Sequence, residues 1–300
     1  MAENATAIPA TQARELRQHA WFACACLGVV GISWGSLRAW LEFSRSSTQA
    51  SDLWIIPLIS IFLVYERRSA IFARTKASRG ALLFVALGIG VEEAGRLLSS
   101  AHAGAALNAI SLAMLGVAVA LAAAFVGCYG EEAGRAARFP LYFLLLAVPI
   151  PQTVLDVVVR WLQDGSAAVV NVLFVLLRVP HVHDGLRFYL DGLSIEIATE
   201  CSGIRSSFSL LVLTVLLSYT LLHSTWRRIA LVSTVVPLVL VKNGIRIVTL
   251  CLLSIYVDPS FITGSLHHSG GFVFFGMALM MEGALCWLLL RGERRAEVSR

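Results

Sequence analysis

The sequence predicts an all-α polytopic membrane protein, about eight transmembrane helices with a small extracytoplasmic β-hairpin inserted just before residue 201. Three observations carry that expectation. The 300 residues are 57% hydrophobic and 14% charged, against roughly a quarter charged in a soluble domain, too few charges to cover a globule of this length. Apolar runs of spanning length recur along the chain, and mean hydropathy is +0.76. The net charge of +5 is almost all arginine, clustered in short connections as topology-setting charge is. A nucleic-acid module is thereby excluded despite the basic balance.

Residues 1–19 are polar and predict a cytoplasmic tail. Ala20 to Leu41 is long for a signal-peptide core, lacks a small-residue cleavage site and reads as a retained first helix. Leu53 to Tyr65 is short and carries Pro57; the basic connection 66–80 behind it is assigned to the cytoplasm by the positive-inside rule. The third run, from Ala81, is interrupted by Glu92, Glu93 and Arg96, whereas Leu107 to Tyr129 is uncharged throughout. Phe139 to Pro151 is too short to cross alone. Thr153 to Val179 holds Asp156, Arg160 and Asp164 on one helical stripe, and these two segments are expected to make one net crossing. Between about 183 and 200, two runs rich in aromatic and β-branched residues flank Asp191-Gly192, a type I′ hairpin turn in expectation. Spans at about Ser206–Leu222, Ile229–Val257 and Gly271–Leu290 follow, separated by Arg227-Arg228 and closed by a basic tail, 292–300. Residues 20–291 thus form a single polytopic domain with both termini inside.

That topology brings distant residues to one rim of the membrane. Cys201 lies at the outer end of the span from Ser206; Lys242 and Arg246 lie one helical turn apart in the outer half of the next; His267 and His268 precede the last. A thiol near a helix start ionises more readily, an imidazole relays its proton, and a guanidinium holds an oxyanion. An arginine inside the bilayer costs at least about 2.5 kcal/mol on insertion scales, which disfavours an idle one. Each residue also has a plainer reading: Cys201 as packing, the histidines as a solvated interfacial pair, Arg246 as a partner of Glu282 or Glu93. The other five cysteines, Cys24, Cys26, Cys128, Cys251 and Cys286, lie in or beside apolar runs without ligand spacing and read as small buried hydrophobes.

The local strings add a resemblance. Glu200-Cys201-Ser202-Gly203-Ile204-Arg205, then Asn243 and Arg246, then His267 four residues before Gly271-Phe272, occur in order. This pattern resembles the exosortase/archaeosortase family of membrane-embedded cysteine transpeptidases, over roughly residues 50–290. The resemblance implies that Cys201 is the nucleophile, His267 the general base and acid, and Arg246 the oxyanion stabiliser. Arg205, Asn243 and Lys242 would be supporting residues at the substrate end; no cofactor or metal is implied. It further implies secreted partners with a C-terminal sorting tail, typically a Pro-Glu-Pro-like motif, a transmembrane helix and a basic cluster, and an amine acceptor on a surface lipid or glycan. The site would face outward from the cell inner membrane. An acidic motif residue would find Arg205, Lys242 or Arg187.

Other classes compete. A polytopic transporter would use Glu92, Glu93, Lys242, Arg246 and Glu282 as intramembrane charges, but no inverted repeat is visible. The EEAGR string at 92–96 and 131–135 is similar to the glutamate motif of intramembrane CAAX-type proteases, with one residue too few before the arginine. A metal hydrolase using His181, His183, His267 and His268 has ligand types available but no third ligand set by spacing.

Overall fold

The computed structural model describes residues 10–47, 50–78, 80–101, 106–198, 203–263 and 271–298. The chain forms two compact units, Met1–Val154 and Leu155–Arg300, each described on its own terms.

In the first unit, α1 (Ala10–Ile32) starts ten residues earlier than the sequence led us to expect. The stretch QARELRQHA is built from strong helix formers, so helix extends through the polar part of the expected tail. The apolar run then breaks: α2 (Trp34–Ser46) leaves α1 at 74°. Helix α3 (Ile55–Glu66) has 12 residues and the turn α4 (Arg68–Ile71) follows it. The central pair is α5 (Ala81–Ala101) against α6 (Ala106–Tyr129). Gly88, Glu92 and Gly95 of α5 repeat at 4 and 3 residues, so they form one stripe facing Ala109, Ala113, Gly116 and Ala120 of α6. A Cβ on Gly88 would meet the Ala120 amide at 2.6 Å, and one on Gly95 the Ala113 amide at 2.6 Å. Backbones approach this closely only when side chains are absent or small, the usual device for helix association in lipid. Glu92 is 0% exposed, and Ser36 Oγ on α2 donates to its Oε1 at 2.6 Å. The neighbouring Glu93 takes the outer face and pairs with Arg96. At the far end of α6, rings of Phe22, Phe72, Phe125 and Tyr129 cluster with His19, whose Nδ1 lies 2.8 Å from the Tyr129 hydroxyl. Short helices α7 (Glu131–Ala136) and α8 (Arg138–Leu144) complete the unit, with a 3-10 turn at Leu145–Ala147.

In the second unit, α9 (Gln152–Leu176) is one continuous helix. Val159, Leu162, Gln163, Ser166, Ala167, Val170 and Phe174 form its buried stripe, while Asp156, Arg160 and Asp164 are exposed. A three-stranded antiparallel sheet follows in the order β1 (Val182–Asp184), β2 (Arg187–Leu190), β3 (Leu193–Glu196). The expected hairpin is therefore β2–β3, and β1 is an addition. Its turn differs from the type I′ expectation: Gly192 has φ 70°, but Asp191 is not in the left-handed region, so only the second central residue needs glycine's freedom. Phe188 of β2 and Ile197 beyond β3 are buried against Phe174, Val170, Ile247 and Val248. Then come α10 (Ile204–Leu221), α11 (Thr225–Tyr256), the turn α12 (Ser260–Thr263) and α13 (Gly271–Val298).

Among the described residues five helices are long and apolar enough to cross a membrane, six if the bent α1–α2 pair counts as one span. The expectation of about eight exceeds this for physical reasons. Glu92, Glu93 and Arg96 put three charges into α5, while α3 and the α8 segment are too short to span alone. Of the five apolar-run cysteines, all free, Cys251 and Cys286 are buried as expected, Cys26 and Cys128 are half-buried, and Cys24 is exposed.

Candidate active site

The second unit has two ends, fixed by polar contacts. At one end, Glu293 of α13 accepts backbone N–H bonds from His223 at 3.1 Å and Ser224 at 2.6 Å, the residues that open α11. Arg227 donates to the Leu289 carbonyl, and Arg228 to Leu222 and Tyr219 at the end of α10. Farther along, Thr234 of α11 donates to Glu282 of α13, a carboxyl 0% exposed. The 18 residues from Arg228 to Arg246 rise roughly 27 Å along a helix, close to the hydrocarbon thickness of a bilayer. Arg246 and Lys242 therefore lie near the opposite end of the unit. So do Gly203, which opens α10, and Gly271, which opens α13, because both helices run antiparallel to α11.

At that second end the chain is tied down on both sides of residues 199–202. Before them, Gln163 Nε2 of α9 donates to the Ile197 carbonyl at 2.7 Å, and Ile197 N–H donates to the Leu186 carbonyl. After them, Gly203 adopts φ 72° and its carbonyl accepts from Ser206 Oγ at 3.0 Å, Ser207 Oγ at 2.7 Å and Ser207 N–H at 2.9 Å. Lys242 Nζ of α11 donates to Ser206 Oγ at 2.6 Å. Asn243 Nδ2 donates to Ser166 Oγ of α9 at 2.9 Å, and both residues are 0% exposed. A Cβ placed on Gly203 would lie 3.3 Å from Asn243 Oδ1 and 3.4 Å from Lys242 Nζ. Close approach of α9 to α11 is allowed by Gly244, where any side chain would run into Val169.

The structure thus joins Lys242 and Asn243 to the turn that begins with Gly203. Arg246, half-buried, follows one turn later on the face of Lys242. Arg205 is exposed at the start of α10. Cys201 and His267, with Glu200, Ser202 and His268, lie outside the described residues. Gln163, Ser166 and Ser206 were not singled out in the sequence; the usable signal is that Gln163 and Ser166 fall on the apolar stripe of α9, where a polar side chain needs a partner. Two other expectations shift. Arg187 already pairs with Glu196 across the sheet at 2.9 Å, and that hydrogen bond raises its pKa further above the ordinary guanidinium value. His181 engages both ring nitrogens, with the Val179 carbonyl and Asn171 Oδ1, and so has no free nitrogen for a ligand. Among the described residues no group of three or more His, Cys, Asp or Glu side chains is arranged to hold a metal ion.

Several apolar helices around a buried cluster of amide, hydroxyl and cationic groups define a multi-pass membrane protein with a polar site at one end of a helix bundle. The chain belongs to the transmembrane exosortase family, Exosortase_EpsH, whose family model matches residues 40–282. The matched range includes every residue of the cluster just described, and membership fits a peptidase or transpeptidase acting on secreted proteins. No curated protein and no solved structure matches the chain.

Proposed function

We propose that the protein is a cysteine transpeptidase of the inner membrane that cleaves the C-terminal sorting tail of secreted proteins and passes them to a surface acceptor. Cys201 is the nucleophile. Its thiolate attacks the scissile carbonyl, the leaving amine takes a proton from His267, and an acceptor amine then resolves the thioester with His267 as base. Arg246 stabilises the tetrahedral oxyanion, where a low-dielectric surrounding strengthens the interaction. Arg205, Asn243 and Lys242 line the substrate end, and the recognition motif is of the Pro-Glu-Pro type. The site faces away from the cytoplasm, since the Arg227-Arg228 end carries the inside-facing charge. A tail anchored by its own helix meets such a site at fixed depth, so membrane confinement supplies much of the positioning entropy.

The observation that most supports this reading is the convergence of Lys242, Asn243 and the Gly203 turn, immediately after Cys201 in the chain and about one bilayer thickness from the Arg227-Arg228 end. Co-expression with a tailed secreted protein tests it. Wild-type enzyme shortens the substrate; Cys201→Ala, Arg246→Ala and His267→Ala remain in the membrane and leave it full length, and a Cys201-linked adduct accumulates when acceptor is limiting. Full processing by Cys201→Ala refutes the reading and revives the transporter, whose function needs no thiol.

A further inference from the structure

We infer that the Arg227 end of the second unit binds the headgroup of an anionic phospholipid, seated at Gly292 between Arg227 of α11 and Arg291 and Arg295 of α13. No residue of the proposed catalytic cluster takes part. Gly292 is exposed, and a Cβ built on it would stand 3.7 Å from Arg227 Nη2 and 3.9 Å from its Cζ, so the missing side chain leaves a notch beside a guanidinium. Arg227 is fixed there by its other terminal nitrogen, Nη1, which donates to the Leu289 carbonyl at 3.1 Å. On the adjoining side of α13, Arg291 Cζ lies 3.7 Å from the centroid of the exposed Trp287 ring. Stacking engages the face of a guanidinium and leaves the N–H groups in its plane to meet oxygen acceptors. Arg295, one turn further along, lies on the side of Arg291.

The charge at this end calls for an anion. Arg227, Arg228, Arg291, Arg294 and Arg295 gather there, and the one carboxylate that the described residues place among them, Glu293, is 7% exposed and turned to the His223 and Ser224 amides. Arg228 is engaged by the Leu222 and Tyr219 carbonyls. Among the described residues no carboxylate forms an ion pair with Arg227, Arg291 or Arg295. Phosphate suits such forks, since its oxygens accept in pairs. What lies beneath the notch selects a lipid over a dissolved phosphate. Leu288, Ala284 and Met281 recede from Gly292 on the same side of α13 as an exposed apolar strip. Met281 is 11 residues from Gly292, about 16 Å along a helix, close to half of a hydrocarbon layer about 30 Å thick. Trp226 and Trp287 are exposed beside the arginines, where indoles sit at headgroup level. One molecule with a phosphate above and an acyl chain below matches both halves; basic pockets between helix ends recognise lipid headgroups in this way.

Native mass spectrometry of the full-length protein in detergent, titrated with phosphatidylglycerol or phosphatidylcholine of the same chain length, tests the site. The wild type is expected to retain phosphatidylglycerol at least about tenfold better than phosphatidylcholine. Arg291→Gln and Arg227→Gln each weaken phosphatidylglycerol retention about fivefold, the equivalent of about 1 kcal/mol for each arginine near an anionic surface. Gly292→Leu fills the notch, keeps every charge and abolishes the preference. Arg178→Gln, which removes an exposed arginine beyond α9, leaves it intact. Thermal unfolding of each variant identifies misfolding, and if Arg227→Gln misfolds, Gly292→Leu and Arg291→Gln decide. A preference that survives Gly292→Leu overturns the site in favour of diffuse attraction to the basic end, and equal retention of the two lipids by the wild type overturns it outright. Competition by free glycerol phosphate at the concentration of the lipid overturns the choice of a lipid as occupant. Because retention is read without turnover, its failure is distinct from any failure of the proposed chemistry.

Discussion

Replacing Gly203 by alanine separates two costs that the structure places at one residue. Gly203 and Gly192 share nearly the same φ, 72° and 70°. At Gly192, in the exposed β2–β3 turn, an added Cβ meets nothing within 4 Å, so Gly192→Ala reports only the left-handed penalty of an L-residue, about 1–2 kcal/mol. At Gly203 the same penalty applies, and the methyl also comes to 3.3 Å from Asn243 Oδ1 and 3.4 Å from Lys242 Nζ. Those neighbours, or the turn itself, must give by a few tenths of an ångström. Misplacement by about 1 Å costs roughly a hundredfold in rate, so a shift of that smaller size is expected to cost about tenfold in cleavage of a tailed substrate. Both variants are measured for detergent-solubilised melting temperature and for cleavage per folded molecule. Similar destabilisation with a cleavage deficit confined to Gly203→Ala is the expected pair of results. Equal cleavage by the two variants would refute the assignment of the Gly203 turn to the site.

Three further outcomes follow from the geometry. Gly116→Ala forces α5 and α6 apart, because the new methyl meets the Glu92 amide and the Gly88 carbonyl; overpacking of this kind costs about 1–3 kcal/mol, read as a lowered melting temperature, while Gly90→Ala, with open space around it, does not lower it and gains helix propensity. Glu293→Ala removes the acceptor of two backbone donors at the start of α11, a loss comparable to that of an N-cap, about 0.5–2 kcal/mol, and unfolding equilibria of the two proteins measure it. Asp258 accepts from the Ser260 side chain and amide, the latter at 2.7 Å, and these bonds hold its carboxyl below the ordinary carboxylate value. Its contribution is therefore present above that ordinary value and lost as pH falls through the lowered one, so protection of the Ser260 amide from hydrogen exchange drops in acid for the wild type and is flat with pH in Asp258→Asn.

How much of this was legible in the sequence depends on which physical signal each part used. The helices α6, α10, α11 and α13 are long apolar runs, the last three with arginine at one end, and hydropathy with charge position is sufficient to find them. Hydropathy fails where polar groups are paired inside the unit. Glu92 reads as an interruption of the third run, yet it is buried, with Ser36 as donor, in a helix that runs unbroken from Ala81 to Ala101. The bend at Ser33 has no proline to announce it. Strand β1 is only three residues long and shows no alternation, since all three are exposed. In the buried cluster, Lys242 and Arg246 stand out in the sequence because a charge inside an apolar run is costly, and Asn243 through the resemblance alone. Ser206 and Ser166 do not, since a small hydroxyl can satisfy itself on its own helix, as Ser207 and Ser209 do.

The arrangement also explains why a site at one end of the bundle is served by polar contacts at the other. Glu293 on the opening of α11 and Arg227 on the Leu289 carbonyl fix the axial register of α13 against α11, and Thr234 with Glu282 repeats that restraint midway. In lipid there is little hydrophobic drive to hold two apolar helices in one register, so hydrogen bonds and close contacts must do it. A slip of one turn, about 5.4 Å, would carry the start of α13 that far along α11 from Arg246. On the proposed function, substitutions at Glu293 or Glu282 are expected to reach the chemistry through register, and their effect on cleavage should track their effect on α11–α13 cross-linking between cysteines placed at opposed positions, with a loss of cleavage at unchanged cross-linking counting against this coupling.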